Sequence, residues 1–496
     1  MGLPSNGISD RSNLGKIALL CFLLVAAVAI GYLAVNNIAM ALVFSLVPLA
    51  LYIFSVSLSS VEFSFMLLIV INYFLPLLSR RLAYSGINFT VGIITDALIS
   101  FIIFVILVQI MGGNKNFRHI KAEPILVVLL WLGFCIFEGS NLGSSTEAWY
   151  KNIRNMALYF AAMQFVAQAA MKDFKSVRKF ILIWAVLSLI AAIYTFKQKF
   201  LGFSKLDNYF LYAQGAKTTH IIHSGIRYFS ILSDAANMSG AMGVATTVFA
   251  IVGLSEDRSG YKVFYFITAA ACALAMLYSG TRSALAVPFC GLAVYCLVSR
   301  KYERVMLVGA ALVAAFVFLN FTTIGESNSV IRRARSAFNK DDESLKVRLD
   351  NQERLRKIMK DKPFGYGIGL SGGNAKNFGE QYYDISQIAT DSWYVQIWVE
   401  TGIVGLTFYF MIIGYLLARG MYIVRYKLKN DLVIGYETAL LCGFTGLFVM
   451  SSNNQVLANF PNGVLAYTSV ALLFLGPHYD KQMLENKDGF INNSKL

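Results

Sequence analysis

Runs of apolar residues long enough to cross a bilayer recur along nearly all of this 496-residue chain. About 20 apolar residues in a helix span a hydrocarbon core of about 30 Å. In that medium each backbone N–H and C=O must be satisfied within the protein, which favours helices. Fourteen candidate spans are read near 17–35, 38–55, 62–78, 90–111, 123–139, 154–171, 180–197, 234–254, 261–279, 283–298, 304–322, 391–417, 431–452 and 460–476. The third, sixth and tenth are short or interrupted. The expected fold is therefore all-α: a polytopic transmembrane bundle of about 12–14 spans, with a large extracytoplasmic loop containing amphipathic helices. Charged residues make up only 14% of the chain, against about 25% in soluble domains. The six cysteines lie inside apolar runs without metal-ligand spacing and read as small buried apolar residues. Arg11 and Lys16 precede the first run as in a signal peptide, but no convincing cleavage site follows, so an uncleaved first span is expected.

Direction follows from Lys and Arg in the short connections. With the N-terminus cytoplasmic, the basic turns 112–122, 172–179, 299–304 and 418–430 all fall inside, and only Arg80 and Arg81 disagree. Both termini are then cytoplasmic, and the long segments 198–233 and 323–390 fall outside. The expected organisation is an N-terminal bundle over 1–322, a large outer loop over 323–390, C-terminal membrane helices over 391–476 and a cytoplasmic tail over 477–496. The loop holds twelve Lys/Arg and nine Asp/Glu. That balance is inconsistent with a basic nucleic-acid-binding face. Within it, Leu345 to Asp361 reads as an amphipathic helix lying on the outer membrane surface or capping the bundle, or as a plain solvated helix.

Three polar clusters fall on the outer side. In 220–240, Arg227 and Asp234 sit at the membrane boundary, and Ser233 or Asp234 suits the N-cap of the eighth span. His220 and His223 are i, i+3, but a third ligand is missing, so no metal site is expected; either imidazole suits a base. In 279–284, Arg282 shares a tight turn with Ser279, Gly280, Thr281 and Ser283. It suits either snorkelling to headgroups or bidentate binding of phosphate oxygens. In 363–405, Pro363, Gly365, Gly367 and Gly369 force an irregular backbone. Asp391 and Ser392 then open the twelfth span, where Thr390 or Asp391 serves as an N-cap or Asp391 as a general base. Glu400 lies about three turns deeper, as an intramembrane carboxylate.

The SGTRSAL turn, the P-x-G-x-G element (Pro363, Gly365, Gly367) and the E-x-G-x-x-G element (Glu400, Gly402, Gly405) occur in that order. With the Arg227 segment upstream, they resemble the O-antigen ligase and O-antigen polymerase superfamily of bacterial membrane glycosyltransferases. The resemblance covers roughly 220–420. Family ligases place His-Asn where this chain has Asp391-Ser392, so the base falls to Asp391, His220 or His223. The resemblance implies an inner-membrane enzyme of surface polysaccharide biosynthesis. It would transfer a glycan from an undecaprenyl diphosphate carrier to an acceptor hydroxyl on lipid-A core or on another lipid-linked glycan, without metal or cofactor. Asp391, Arg282 and Arg227 are the catalytic candidates. Arg282, Arg227, His223, Ser279, Thr281, Arg348, Ser392 and Glu400 are the substrate-binding candidates. Implied partners are the lipid-linked donor, the glycan acceptor, the bilayer and chain-length or glycan-assembly proteins, with no nucleic acid. A lipid-linked glycan flippase and a non-catalytic envelope scaffold remain as alternatives.

The topology has a direct check. Alkaline phosphatase fused within 323–390 is expected to be active in a bacterial host, and fused within 418–430 inactive. The reverse pattern would invert the orientation.

Overall fold

The computed structural model describes residues 51–113, 117–141, 143–222, 225–336 and 343–493. The chain divides into units 1–64 and 65–496, and the second holds the bundle. Its helices are α1 (Val61–Tyr84), α2 (Gly92–Met111), α3 (Ala122–Phe137), α4 (Tyr159–Ala170), α5 (Phe174–Phe200), α6 (Ala235–Ser255), α7 (Ser259–Tyr278), α8 (Ala286–Val298), α9 (Tyr302–Phe321), α10 (Ser329–Arg335), α11 (Glu343–Ile358), α12 (Trp393–Tyr422), α13 (Asp431–Met450), α14 (Asn462–Leu473) and α15 (Gly476–Asn493). Among the described residues, nine helices are long and apolar enough to cross a membrane: α1, α2, α3 with its continuation to Ser140, α5, α6, α7, α9, α12 and α13. The protein is thus the expected all-α polytopic bundle.

Of the fourteen expected spans, the first lies outside the described residues and the second mostly so. The third is not short: α1 runs 24 residues, with Pro76 inside it. The sixth is interrupted but not broken: a helix over Thr146–Ile153, a π turn at Arg154–Leu158 and α4 follow one another directly, and Arg154 in the π turn meets Asp96 at 2.8 Å. The tenth and fourteenth are the short apolar helices that include α8 and α14.

The central helices α6 and α13 pack on each other, with α7 against α6 and α8 against α13. Small residues make this approach possible. A Cβ on Gly446 would lie 2.3 Å from the Val287 carbonyl oxygen, and one on Gly291 would lie 2.8 Å from that of Cys442. By contrast, α9 leaves Met306, Leu307 and Val313 exposed, as suits a lipid-facing helix.

The basic turns meet one another at one end of the bundle. Arg178 donates to both Glu256 oxygens at 2.9 Å. Lys301 pairs with Asp431 at 2.7 Å, and Arg419 with Glu123 at 2.7 Å. The segment expected as a tail begins as α15, whose Asp480 accepts from the amides of Lys429 and Asn430. Arg80, the topological exception, is buried. Its guanidinium donates to the Ser230 carbonyl at 2.7 Å, lies 3.5 Å from Asp207, and stacks on Phe229. A buried pair of this kind is a packing device and carries no topological signal.

Within the described part of segment 323–390, residues 355–388 fold as a cap around a small core shared with the bundle. Leu355, Leu370, Tyr382 and Ile385 pack with Ala148 and with Val399 of α12. Each fully buried aliphatic side chain there contributes about 1.5–3 kcal/mol. The expected amphipathic helix is α11, but only its C-terminal half is apolar-faced inward: Leu355 is buried, while Val347 and Leu349 are exposed. The cap is seated on a break in α12. Gly402 adopts φ 68°, ψ −172° within that helix, a left-handed φ that L side chains avoid. The break frees carbonyls, and loop amides fill them: Tyr366 N–H donates to Val399 O and Gly367 N–H to Glu400 O, both at 2.9 Å. The Pro363 carbonyl accepts from Val404 N–H at 3.2 Å.

A Cβ at Gly402 would lie 1.8 Å from the Pro363 oxygen. Gly402→Ala is therefore expected to destabilise the fold by about 3 kcal/mol, lowering the thermal unfolding midpoint in detergent. Gly414→Ala, on the same helix with open space around it, should leave the midpoint unchanged or raised.

Candidate active site

The SGTRSA turn reverses the chain between α7 and α8. Ser279 Oγ donates to Met276 O at 2.7 Å and accepts from Thr281 N–H at 3.1 Å, closing the end of α7. A 3-10 turn at Arg282–Leu285 then leads into α8. Thr281 Oγ1 donates to Ala235 O at 3.1 Å, which ties the turn to the start of α6.

Arg227 follows a two-stranded hairpin, β1 (Ile221–Ile222) antiparallel to β2 (Gly225–Ile226). Its amide donates to His220 O at 2.8 Å. Its guanidinium donates to Thr219 O at 3.1 Å and to Thr281 Oγ1 at 2.9 Å. Burial pushes the Arg227 pKa below its ordinary value; the nearby charge of Asp234 opposes this, and those of Arg348 and Arg282 add to it.

His220 is buried. Ala235 N–H donates to its Nε2 at 3.2 Å. A backbone amide only donates, so Nε2 is an acceptor and the ring proton sits on Nδ1, facing Ala216 O at 2.9 Å. Burial lowers the imidazole below its ordinary value of 6.5. Its basic nitrogen is thus already engaged at the N-terminus of α6. Asp234, as anticipated, caps that helix, accepting from Ala236 and Asn237 amides at 2.8 and 2.9 Å.

At the start of α12 the cap is neither Thr390 nor Asp391. Ser392 fills that position, accepting from Tyr394 and Val395 amides, because its short hydroxyl meets the first free N–H groups. Asp391 is left outside the helix, its side chain 52% exposed, with Oδ2 3.6 Å from Arg348 Nε of α11. Arg348 Nη1 also approaches Asn453 Oδ1 at 3.5 Å.

These groups border one cavity of about 860 Å³. Arg227, Arg282, Arg333 and Arg348 supply four guanidinium groups, against the carboxylates of Asp234 and Asp391. Thr219, His220, Thr281, Ser283, Ser336, Asn453 and Asn454 add further polar residues to the lining. The structure thus brings together Arg227, Arg282, Thr281, Arg348 and Asp391 among the residues singled out from sequence. Ser279 is buried behind the turn and does not line the cavity. Ser392 borders a smaller recess with Arg348 and Asp391. Glu400 is also away from the cavity. Its oxygens accept from Gly369 N–H, Ser371 Oγ and Gln396 Nε2, so it anchors the cap. His223 lies outside the described residues. Sequence reasoning missed Arg333, Asn453 and Asn454. The run Ser451–Gln455, five polar residues ending an apolar span, was the available signal for the asparagines. Among the described residues, no three His, Cys, Asp or Glu side chains group as metal ligands do.

Fold and cavity together define a multi-pass membrane protein with an arginine-rich, partly hydroxylated and amidated chamber at the ends of its central helices. Residues 267–410 match the family model for O-antigen ligase, which supports placing the chain in the O-antigen ligase and polymerase superfamily. The matched segment carries Arg282, Arg333, Arg348 and Asp391. Arg227 and Asn454 lie outside it. No curated protein matches the chain.

The depressed His220 pKa has a stability consequence. The unfolded chain binds this proton more readily, so the His220 contribution is complete above pH 6.5 and is lost as pH falls toward the folded-state value. Thermal unfolding from about pH 7 to about pH 5 should show a steeper loss for wild type than for His220→Gln. Gln retains an acceptor for Ala235 without titrating. Parallel curves would overturn this assignment.

Proposed function

We propose that the chain transfers a glycan from a polyprenyl diphosphate carrier to an acceptor hydroxyl, at the outer face of the bacterial inner membrane. The supporting observation is the convergence of Arg227, Arg282, Arg348 and Asp391 on one cavity. Beside it Met276, Leu277, Leu285 and Val330 border a crevice of only about 10 Å³, which shares Arg282 and Arg333 with the cavity. The cationic chamber itself suits a ligand with a polyanionic head. The basic turns at the opposite end favour a cytoplasmic location for that end, and in this reading the cavity faces outward.

In this reading the acceptor hydroxyl attacks the anomeric carbon as the bond from that carbon to the diphosphate oxygen breaks. The configuration inverts. Asp391 takes the hydroxyl proton, in the role that the resemblance gives to a His in ligases. Arg227 and Arg282 hold the diphosphate and stabilise the charge that develops as it leaves, an electrostatic role that is often the largest catalytic contribution. Arg227 is preorganised for this, since two of its donors are already fixed by Thr219 and Thr281. The arginines supply the positive charge that the leaving group needs, so the reaction proceeds without a metal. The acceptor is lipid-A core for a ligase and a second lipid-linked glycan for a polymerase.

The test is glycan transfer in proteoliposomes loaded with the host's lipid-linked glycan. Arg282→Ala and Asp391→Asn should each reduce turnover by about 10²–10³-fold, and EDTA should leave wild-type turnover intact. Near-normal turnover in both variants would overturn the assignment.

A further inference from the structure

A side chamber of about 200 Å³ adjoins the arginine-lined cavity. Its chemistry is different. Asn237, Asn454, Gln455 and Asn459 line it with amides, Thr390 adds a hydroxyl, and Asp234 and Asp391 add carboxylates. No Lys or Arg is among its described lining residues. Asp234, Asn454 and Asp391 border both chambers.

The two linings select opposite ligands. Phosphate oxygens only accept hydrogen bonds, and carboxylates repel them, so the arginine-lined cavity is the place for a diphosphate. A sugar ring carries hydroxyls that both donate and accept. Amides match them in both senses, and carboxylates match their donors. The volume, below the roughly 300 Å³ of the smallest drug-sized pockets, suits one ring rather than an oligosaccharide. The walls are also held in place. Asn237 donates to Phe460 O and accepts from Asn462 Nδ2, both at 2.6 Å. Gln455 donates to the Thr390 carbonyl, and Asn459 to Gln455 O at 2.9 Å.

We infer that this side chamber seats the acceptor's sugar ring, and that Asp391, on the wall shared by the two chambers, faces the hydroxyl to be deprotonated. This rests on the glycan-transfer reading above. It adds the location of the acceptor and its class: a hydroxyl-rich sugar rather than a phosphorylated group. Thr390, Gln455 and Asn459 become acceptor-binding residues with no direct part in holding the diphosphate, and Asn237, with its amide committed to Ser233, Phe460 and Asn462, serves to fix the wall.

Binding to the purified full chain separates the two chambers. The probes are undecaprenyl diphosphate for the arginine-lined cavity, and a panel of methyl glycosides of glucose, galactose, rhamnose and N-acetylglucosamine for the side chamber. Wild type should bind at least one glycoside saturably, with undecaprenyl diphosphate present. Asn459→Leu and the isosteric Thr390→Val should each weaken that glycoside about tenfold, the loss expected for one good hydrogen bond. Undecaprenyl diphosphate should bind both variants as it binds wild type, which also reports an intact fold. No glycoside bound by wild type, or equal glycoside affinity in wild type and both variants, overturns the acceptor chamber. Loss of undecaprenyl diphosphate binding in wild type would instead overturn the donor reading, with the glycoside result standing on its own.

Discussion

Gly402 interrupts α12, and the rest of the functional end depends on how that interruption is repaired. Free carbonyls in a spanning helix are tolerated only where protein satisfies them. Here the repair comes from Tyr366 and Gly367 amides, with Pro363 accepting from Val404 in return. Glu400 reinforces the same seam through Gly369 and Ser371. The loop motif and the helix motif, separate in sequence, are two halves of one joint. Because that joint fixes the cap, α11 has a defined position, and Arg348 reaches Asp391 and Asn453.

The two ends of the bundle treat positive charge differently. At one end the arginines and lysines find carboxylates: Arg178 with Glu256, Lys301 with Asp431, Arg419 with Glu123. At the other, four guanidinium groups share a cavity with Asp234 and Asp391, and Asp234 is already engaged in capping α6. The first arrangement neutralises a surface. The second sets four guanidinium groups against two carboxylates among the described lining of a concave site, where neighbouring low-dielectric walls focus the field.

Periodicity and hydropathy made the membrane bundle legible, as well as the cap at Asp234 and the polar character of the three clusters. Those depend on local chemistry that a sequence displays directly. What was hidden depends on long-range contact. Arg80 reads as a misplaced topology signal until Asp207 is seen beside it. Glu400 reads as an intramembrane candidate site until Gly369 and Ser371 occupy its oxygens. The stretch around α11 has apolar residues at both ends, and only the packing of the cap shows that Leu355 is inside while Val347 and Leu349 are not. Arg333 has no local mark that separates it from Arg332. Its place beside Gly280 comes from the seating of α10 against the SGTRSA turn.

One residue's assignment decides another's. Had Asp391 capped α12, its oxygens would be spent on helix amides, as those of Asp234 are. Ser392 takes the cap instead, and its hydroxyl also approaches the Ser451 carbonyl at 3.3 Å. The carboxylate next to it stays half-exposed at a cavity wall, held from one side by Arg348. His220 shows the opposite outcome. Its basic nitrogen accepts from the first amide of α6, so the imidazole positions a helix N-terminus rather than meeting a substrate. Among the described residues lining this cavity that are able to accept a proton, Asp391 is the one that combines access to the cavity with freedom from helix capping. The proposed reaction therefore places its base there.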